Sequence, residues 1–204
     1  FKKEFDAISA KEGATRDDWS KLIKGLRTRA REEGFWLPHM PQEVGGMGLG
    51  VTALAAVSAE AAKVPMGPYI INCQAPDEGN MHTLYHFATE YQREHYLNPL
   101  LEGTKRSCFS MTEPDNAGSD PRSIQTRAVR DGDEWVITGH KWFTSNAVRA
   151  DWALVMARTE EPDGDGGVNE KMSQFIVPTD SEGFEILRSV PVWGHSGGHH
   201  CEIK

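Results

Sequence analysis

Near residue 105 the apolar residues change period, and one layer of secondary structure cannot absorb both halves of the chain. Ahead of that point the spacing is helical. Residues 15–33 predict an amphipathic helix: Thr15 and Asp18 make a capping-box start, and Trp19, Leu22, Ile23, Leu26 and Ala30 share one face. The prolines and glycines of PHMPQEVGGMGLG interrupt regular structure, and VTALAAVSAEAAK resumes a small, Ala-rich helical pattern. Further helices are expected near 79–88 and 90–102, the second stopped by Gly103. Behind residue 105, SIQTRAVR, EWVITGHKWFT, DWALVMAR, SQFIVP and FEILRSVPV are short β-rich runs divided by DGD, EPDGDGG and DSEG. Asp131-Gly132 between two runs signals a hairpin, and EPDGDGGVNEK reads as a solvated loop. The expected fold is α+β, with an all-α domain over 1–104 and an antiparallel β domain over 105–204. The closing CEIK looks like a strand in progress, so a longer protein is expected.

A formal charge of −8, with Lys and Arg interspersed among acids, argues against a phosphate-tracking nucleic-acid surface. No apolar run approaches the ~20 residues that span a bilayer, and FKKEFDAISAKEG lacks the apolar core of a secretory signal. The cysteines, Cys73, Cys108 and Cys201, are far apart and in no CxxC spacing, which favours reduced thiols in an intracellular compartment.

Several polar clusters carry little chemistry. GGMGLG lacks GxGxxG spacing and follows no strand, so a flexible turn is the better reading. His82 and His86 sit at i, i+4 on a helix but lack the acid of HExxH and a third ligand. His195, His199 and His200 in WGHSGGHH are denser, yet a polar loop positioning a strand explains them as well as a metal does.

The stretch SCFSMTEPDNAGSDPRSIQ is different. Residues 107–111 read as a strand whose backbone groups can turn toward a planar heterocycle, with Thr112 adding a hydroxyl. Pro114, Asp115, Asn116, Gly118 and Ser119 form a sharp turn that leaves backbone amides free for an anionic or carbonyl-rich ligand. A plain Asx-rich connection fits that turn equally well; the second segment, GHKWFTSNA, adds two aromatics and two hydroxyls at a strand end.

At these two segments, TEPDNAGSD and KWFTSN, the sequence resembles the acyl-CoA dehydrogenase family, whose β-domain carries a TEP-GSD flavin loop and a following K-x-W-I-T-N strand. LPHMPQEVGGMGLG and YQREHYLNPLLEG extend the resemblance over nearly the whole chain, and INCQAPDEGNM with VWGHSGGHHCEIK is most similar to the ten/eleven-type branch. The loop is one residue longer than the commonest form, and Phe143 and Ser145 stand where Trp and Thr are usual; an aromatic face and a hydroxyl are both kept.

The resemblance implies a β-barrel-like middle domain, an FAD cofactor, and removal of an acyl-CoA α-proton by a carboxylate while the β-hydride passes to flavin N5, giving a trans-2-enoyl-CoA. It implies that Phe109, Ser110, Met111, Thr112, Gly118 and Ser119 line the flavin, that Phe143, Thr144 and Ser145 complete the wall, and that Ser119 also meets substrate. Glu113 and Asp120 read as structural acids in a turn, and the base is expected in a C-terminal helical bundle beyond Lys204. The implied partners are an acyl-CoA, an electron-transferring flavoprotein and further subunits of a homodimer or homotetramer. The implied compartment is cytoplasmic in a bacterium, mitochondrial or peroxisomal in a eukaryote. Alternatives are an acyl-CoA oxidase, a nitroalkane-oxidase-like flavoenzyme, or a non-catalytic α+β interaction module. Acyl length and branching are not legible.

Overall fold

Thr15 and Asp18 bond each other as their spacing predicts: Asp18 N donates to Thr15 Oγ1 at 3.2 Å and Thr15 N donates to Asp18 Oδ2 at 2.9 Å. This capping box starts α2 (Arg16–Glu32), which follows α1 (Lys2–Ser9); Phe5 and Trp19 join the two helices edge to face, ring centroids 5.0 Å apart. These elements belong to a computed structural model that describes residues 1–162, 165, 167–194 and 199–204. It divides into two compact units, Phe1–Thr104 and Lys105–Lys204.

The first unit is helical. After α2 come α3 (Val51–Ala61), α4 (Gly67–Ile70), α5 (Asp77–Phe87), α6 (Glu90–Gln92) and α7 (Asn98–Glu102). A π turn, Arg93–Leu97, joins the last two; Pro99 has no N–H for the carbonyl four residues back, which accounts for the widened turn. Leu26 and Ala30 of α2 are buried as the helical spacing predicts, together with Leu37, Met40, Ile70, Met81, Leu84, Leu97 and Leu100. Arg27 is buried with them. Its guanidinium lies 4.8 Å from the Trp36 ring centroid and 4.3 Å from that of Tyr69, and it donates to Tyr69 O at 2.5 Å and Gly103 O at 3.2 Å. The GGMGLG turn is tight: Gly46 N donates to Pro41 O at 3.0 Å, and a Cβ at Gly46 would stand 2.0 Å from Met40 O.

The second unit holds β1 (Ser107–Ser110), β2 (Arg127–Asp131), β3 (Glu134–Thr138), β4 (Lys141–Ser145), β5 (Trp152–Pro162), β6 (Val168–Pro178), β7 (Ile186–Ser189) and β8 (His200–Ile203). The α+β class stands. The hairpin forms with Asp131 opposite Glu134 and Gly132 at φ 60°.

Four details differ from expectation. The described strands form two sheets, β1-β5-β2-β3 with β6 on β5, and β4-β8-β7, and neither closes into a barrel. Pairing is mixed, because β1 and β2 both run parallel to β5. Turn signals report only hairpins; the long excursions between β1, β2 and β5 supply the crossovers that parallel strands need. The single run expected over 134–144 breaks at Gly139, where a Cβ would lie 2.2 Å from Thr126 Oγ1, and β3 and β4 go to different sheets. Finally, Glu161 and residues 168–171, expected in a loop, extend the β5–β6 ladder, pairing Glu161 with Asn169 and Glu160 with Glu170. The turn of that hairpin lies partly, and His195 wholly, outside the described residues.

Candidate functional site

Burial along β1 and β4 decides which groups of the two motif segments can face outward. On β1, Ser107, Cys108 and Ser110 are buried, whereas Phe109 and the following Met111 and Thr112 are half-buried. On β4, Lys141 and Thr144 are buried, whereas Phe143 is 41% exposed and Ser145 half-buried. The hydroxyls of Ser110 and Thr144 meet each other at 3.2 Å inside the unit, so both residues present only backbone to a ligand. Trp142 N donates to Thr112 O at 3.0 Å and Lys141 Nζ to Met111 O at 2.8 Å, which brings the chain after β1 against β4. Of the residues expected to line the flavin, Phe109, Met111, Thr112, Phe143 and Ser145 keep exposure beside this junction.

Glu113 fastens the junction. Its carboxylate, 5% exposed, accepts from Gln125 N at 2.6 Å, Thr126 N at 2.8 Å, Thr126 Oγ1 at 2.5 Å, Lys141 Nζ at 3.0 Å and Asn116 Nδ2. Burial pulls the carboxyl upward, but the donors from Thr126, Gln125 and Lys141 outweigh it and hold it below the ordinary glutamate range. Burial lowers the Lys141 ammonium against the opposing pull of Glu113. Glu113 therefore ties the TEP turn to the two residues ahead of β2 and, through one charged pair, to β4. Asp120 works locally instead, capping the short turn Pro121–Ser123 and chelating Arg122 at 2.9 and 3.1 Å, which lowers its carboxyl. Both acids are structural in geometry. Gly118 and Ser119 sit exposed between them, and a Cβ at Gly118 would stand 2.9 Å from Thr112 Cγ2.

Phe143 is held in the left-handed region at φ 51°, where the register of β4 on β8 shifts between Lys141 and Thr144. A bulge with a non-glycine residue at positive φ costs energy and re-aims the side chain, which is common beside functional sites. The Phe143 ring leans on Trp142, centroids 4.7 Å apart, and presents its edge toward His200 at 6.4 Å. Buried Trp142 Nε1 has no hydrogen-bond partner among the described residues. Ser145 Oγ lies 2.8 Å from His200 Nδ1.

Sequence reasoning missed the roles of Lys141 and His200. A lysine flanked by His and Trp in a β-rich run carries a weak signal of an inward charge; His200 carries none, since its partner comes from another strand. Among the described residues no three His, Cys, Asp or Glu converge on a metal position. His82 stacks beside His86 at 6.5 Å and meets buried His39 at 5.4 Å. Burial pushes the Cys73 thiol up to about 12, which keeps it protonated and unsuited to nucleophilic work. No described helix is long and apolar enough to cross a membrane.

Residues 3–104 match the family model for the acyl-CoA dehydrogenase N-terminal domain, and residues 108–204 match that for the middle domain. The chain is 42% identical over 185 residues to the probable acyl-CoA dehydrogenase FadE2 of Mycobacterium tuberculosis, covering 89% of this chain and 44% of that protein. It is 37% identical over 205 residues to acyl-CoA dehydrogenase family member 11 of Gallus gallus, covering 97% of this chain and 26% of that one. Among solved structures, a Mycobacterium abscessus chain assigned as an acyl-CoA dehydrogenase superposes with a TM-score of 0.81 at 32% identity, covering 98% of this chain and 50% of that one. A glutaryl-CoA dehydrogenase from Mycobacterium smegmatis in complex with FADH2 superposes at 0.67 with 25% identity, over 98% of this chain and 50% of that one. The chain thus spans less than half the length of the curated relatives it matches. With both of its units matched in order, the chain belongs to the acyl-CoA dehydrogenase family, an oxidoreductase family that uses FAD.

Proposed function

We propose that the β unit, 105–204, holds the isoalloxazine end of FAD for α,β-dehydrogenation of an acyl-CoA thioester to a trans-2-enoyl-CoA. The observation that carries this reading is the bulge of β4, which spends backbone strain to turn an aromatic ring outward at Phe143 beside the Ser145 hydroxyl. The donor set fits a flavin: an aromatic wall at Phe143, hydroxyls at Thr112 and Ser145, a buried indole N–H at Trp142 with no partner among the described residues, and backbone of Phe109, Ser110, Met111 and Thr144. Bound FAD would supply the hydride acceptor. Phe143 and Phe109 cover ring surface and exclude water there, Thr112 and Ser145 offer hydrogen bonds to its polar edge, and Gly118 with Ser119 offers free backbone and a hydroxyl toward cofactor and substrate.

The proton chemistry falls outside these groups. Glu113 is saturated by five donors and buried, and Asp120 is engaged by Arg122, so neither is placed to take a proton from a thioester. We assign the base to a segment outside residues 1–204, and with it the larger part of the substrate pocket. Electron transfer to an electron-transferring flavoprotein and assembly as a homo-oligomer complete the proposal; assembly is supported by the likeness to a Mycobacterium tuberculosis structure that is a complex, ChsE4-ChsE5.

Denaturing the intact protein should release FAD, and Ser145→Ala should weaken flavin retention or slow its reduction by about 0.5–1.5 kcal/mol. Well-folded protein that releases FMN or no flavin refutes the assignment. Residues 1–204 alone, given FAD and saturating acyl-CoA, should not bleach the flavin; bleaching would return a carboxylate of this chain to the catalytic role. Reoxidation by dioxygen in place of a flavoprotein would identify an oxidase.

A further inference from the structure

Two successive carbonyls tie the chain after β1 to β4. Met111 O accepts from Lys141 Nζ at 2.8 Å, and Thr112 O accepts from Trp142 N at 3.0 Å. The peptide group between Met111 and Thr112 carries the first of these carbonyls and the Thr112 N–H. It is trans, so its C=O and N–H point in opposite directions. Buried Lys141 draws the carbonyl into the unit; the Thr112 N–H therefore points away from Lys141, to the side on which Met111 and Thr112 keep exposure. The ammonium is itself held: Nζ donates to Glu113 Oε1 at 3.0 Å, and the carboxylate accepts further from Gln125, Thr126 and Asn116. Of this buried pair, the ammonium is the end that touches the peptide. A charged donor on a carbonyl withdraws electron density through the amide and makes the N–H of the same peptide a stronger donor.

We infer that Lys141 is a positioning residue for the cofactor: it aims the Thr112 N–H at the flavin's carbonyl edge and strengthens that hydrogen bond as the ring gains charge. This rests on the flavin reading above, which already brings Thr112 to the polar edge of the ring. In the reaction the substrate's β C–H bond breaks and an N–H bond forms at N5; the hydride brings both electrons, and the α-proton leaves to the base. One added negative charge then resides on the ring, spread toward its carbonyls. Lys141 gives up no proton and passes no electron; it acts through the peptide alone. A hydrogen bond to a charged acceptor is stronger than one to a neutral acceptor, so the polarised N–H favours the reduced ring over the oxidised one. Burial works against the ammonium and Glu113 sustains it, which gives the carboxylate a part in the same device.

A spectrophotometric redox titration of the purified holoprotein against a reference dye tests this, at about pH 6 so that the lysine keeps its proton. Lys141→Met keeps the length of the side chain and removes its charge; it should shift the reduction equilibrium about tenfold toward oxidised flavin, ~30 mV lower for a two-electron couple. Glu113→Gln leaves the ammonium without its counter-charge and should move the equilibrium the other way, about threefold toward reduced flavin. A junction that only holds the fold together gives no such opposition of sign. The infrared carbonyl bands of the bound flavin supply a second reading, and they should rise in Lys141→Met as the Thr112 hydrogen bond weakens. An unchanged potential in flavin-loaded Lys141→Met, shifts of one sign in both variants, or carbonyl bands that stay in place each overturn the inference and leave the flavin assignment standing. If Lys141→Met fails to fold, Glu113→Gln still decides: an unchanged or lower potential in it overturns the inference. Parent protein that binds no FAD removes both.

Discussion

Replacing Glu113 by Gln conserves shape and removes a charge from the interior, and the cost can be worked from its five donors. Lys141, 3% exposed, loses its counter-charge and keeps only the carbonyl of Met111 and a neutral amide oxygen. At the position of Oε2 the new NH2 faces Gln125 N–H and the Asn116 amide, donor against donor. Removing one partner of a buried pair costs about 3–5 kcal/mol. The amide oxygen can retain the bonds from Thr126, which places the expected loss near the lower end, about 3 kcal/mol. With a urea slope of about 1–3 kcal/mol/M, the midpoint of the β unit should fall by roughly 1–3 M, read by tryptophan fluorescence. Asp120→Asn is the control: that acid's partner Arg122 is 89% exposed, so the midpoint should not move. The Glu113 contribution also has a pH sign. Its folded carboxyl is depressed, so the stability it supplies is present above the ordinary glutamate value and lost as pH falls through the folded one; Glu113→Gln should flatten that part of the profile. Equal midpoints for the Glu113 and Asp120 variants at neutral pH would refute the reasoning, because the two acids would then carry the same load.

Three further outcomes concern the helical unit. His39 is buried, and burial, reinforced by His82, pushes its imidazole down to about 4. The unfolded chain therefore binds the proton first, and stability should decline by at most ~1.4 kcal/mol per pH unit as pH falls from the ordinary histidine value toward about 4. Urea midpoints by circular dichroism should show this slope and His39→Leu should lessen it; an identical slope in the variant refutes it. Gly103 sits at φ 67° with a Cβ position 2.0 Å from Arg27 Nη2 and 3.1 Å from the Trp36 ring, so Gly103→Ala should destabilise by about 1–3 kcal/mol. Gly25, inside α2 with open space around its Cβ position, should respond to Ala with a gain of up to about 1 kcal/mol, and a gain at Gly103 instead would contradict the packing described.

Whatever depends on a few neighbouring residues is legible in the chain. Thr15 and Asp18 cap α2 because both partners of the box lie within one turn; Gly103 ends α7 because glycine takes the left-handed conformation without a Cβ penalty; Gly132 turns a hairpin whose strands are adjacent in sequence. The TEPDNAGSD and KWFTSN segments are readable as one site because their residue types, not their coordinates, carry the resemblance. Residue types mark β1 and β4 as strands, yet they give no means to see that the bulge turns both Lys141 and Thr144 inward, or that the hydroxyls of Ser110 and Thr144, both expected beside the flavin, face each other. What lies opposite a residue is decided by tertiary structure. Arg27 falls on the apolar face of α2 and is tolerated there because Trp36, Tyr69 and the carbonyl of Gly103 arrive from elsewhere in the unit. Glu113 is a buried anchor because β4 and the residues ahead of β2 bring donors to it, and Ser145 has a histidine behind it because β8 happens to be its neighbour. Strand pairing across long connections depends on closing those loops against a shared core, a free-energy balance over the whole unit that no window of sequence contains.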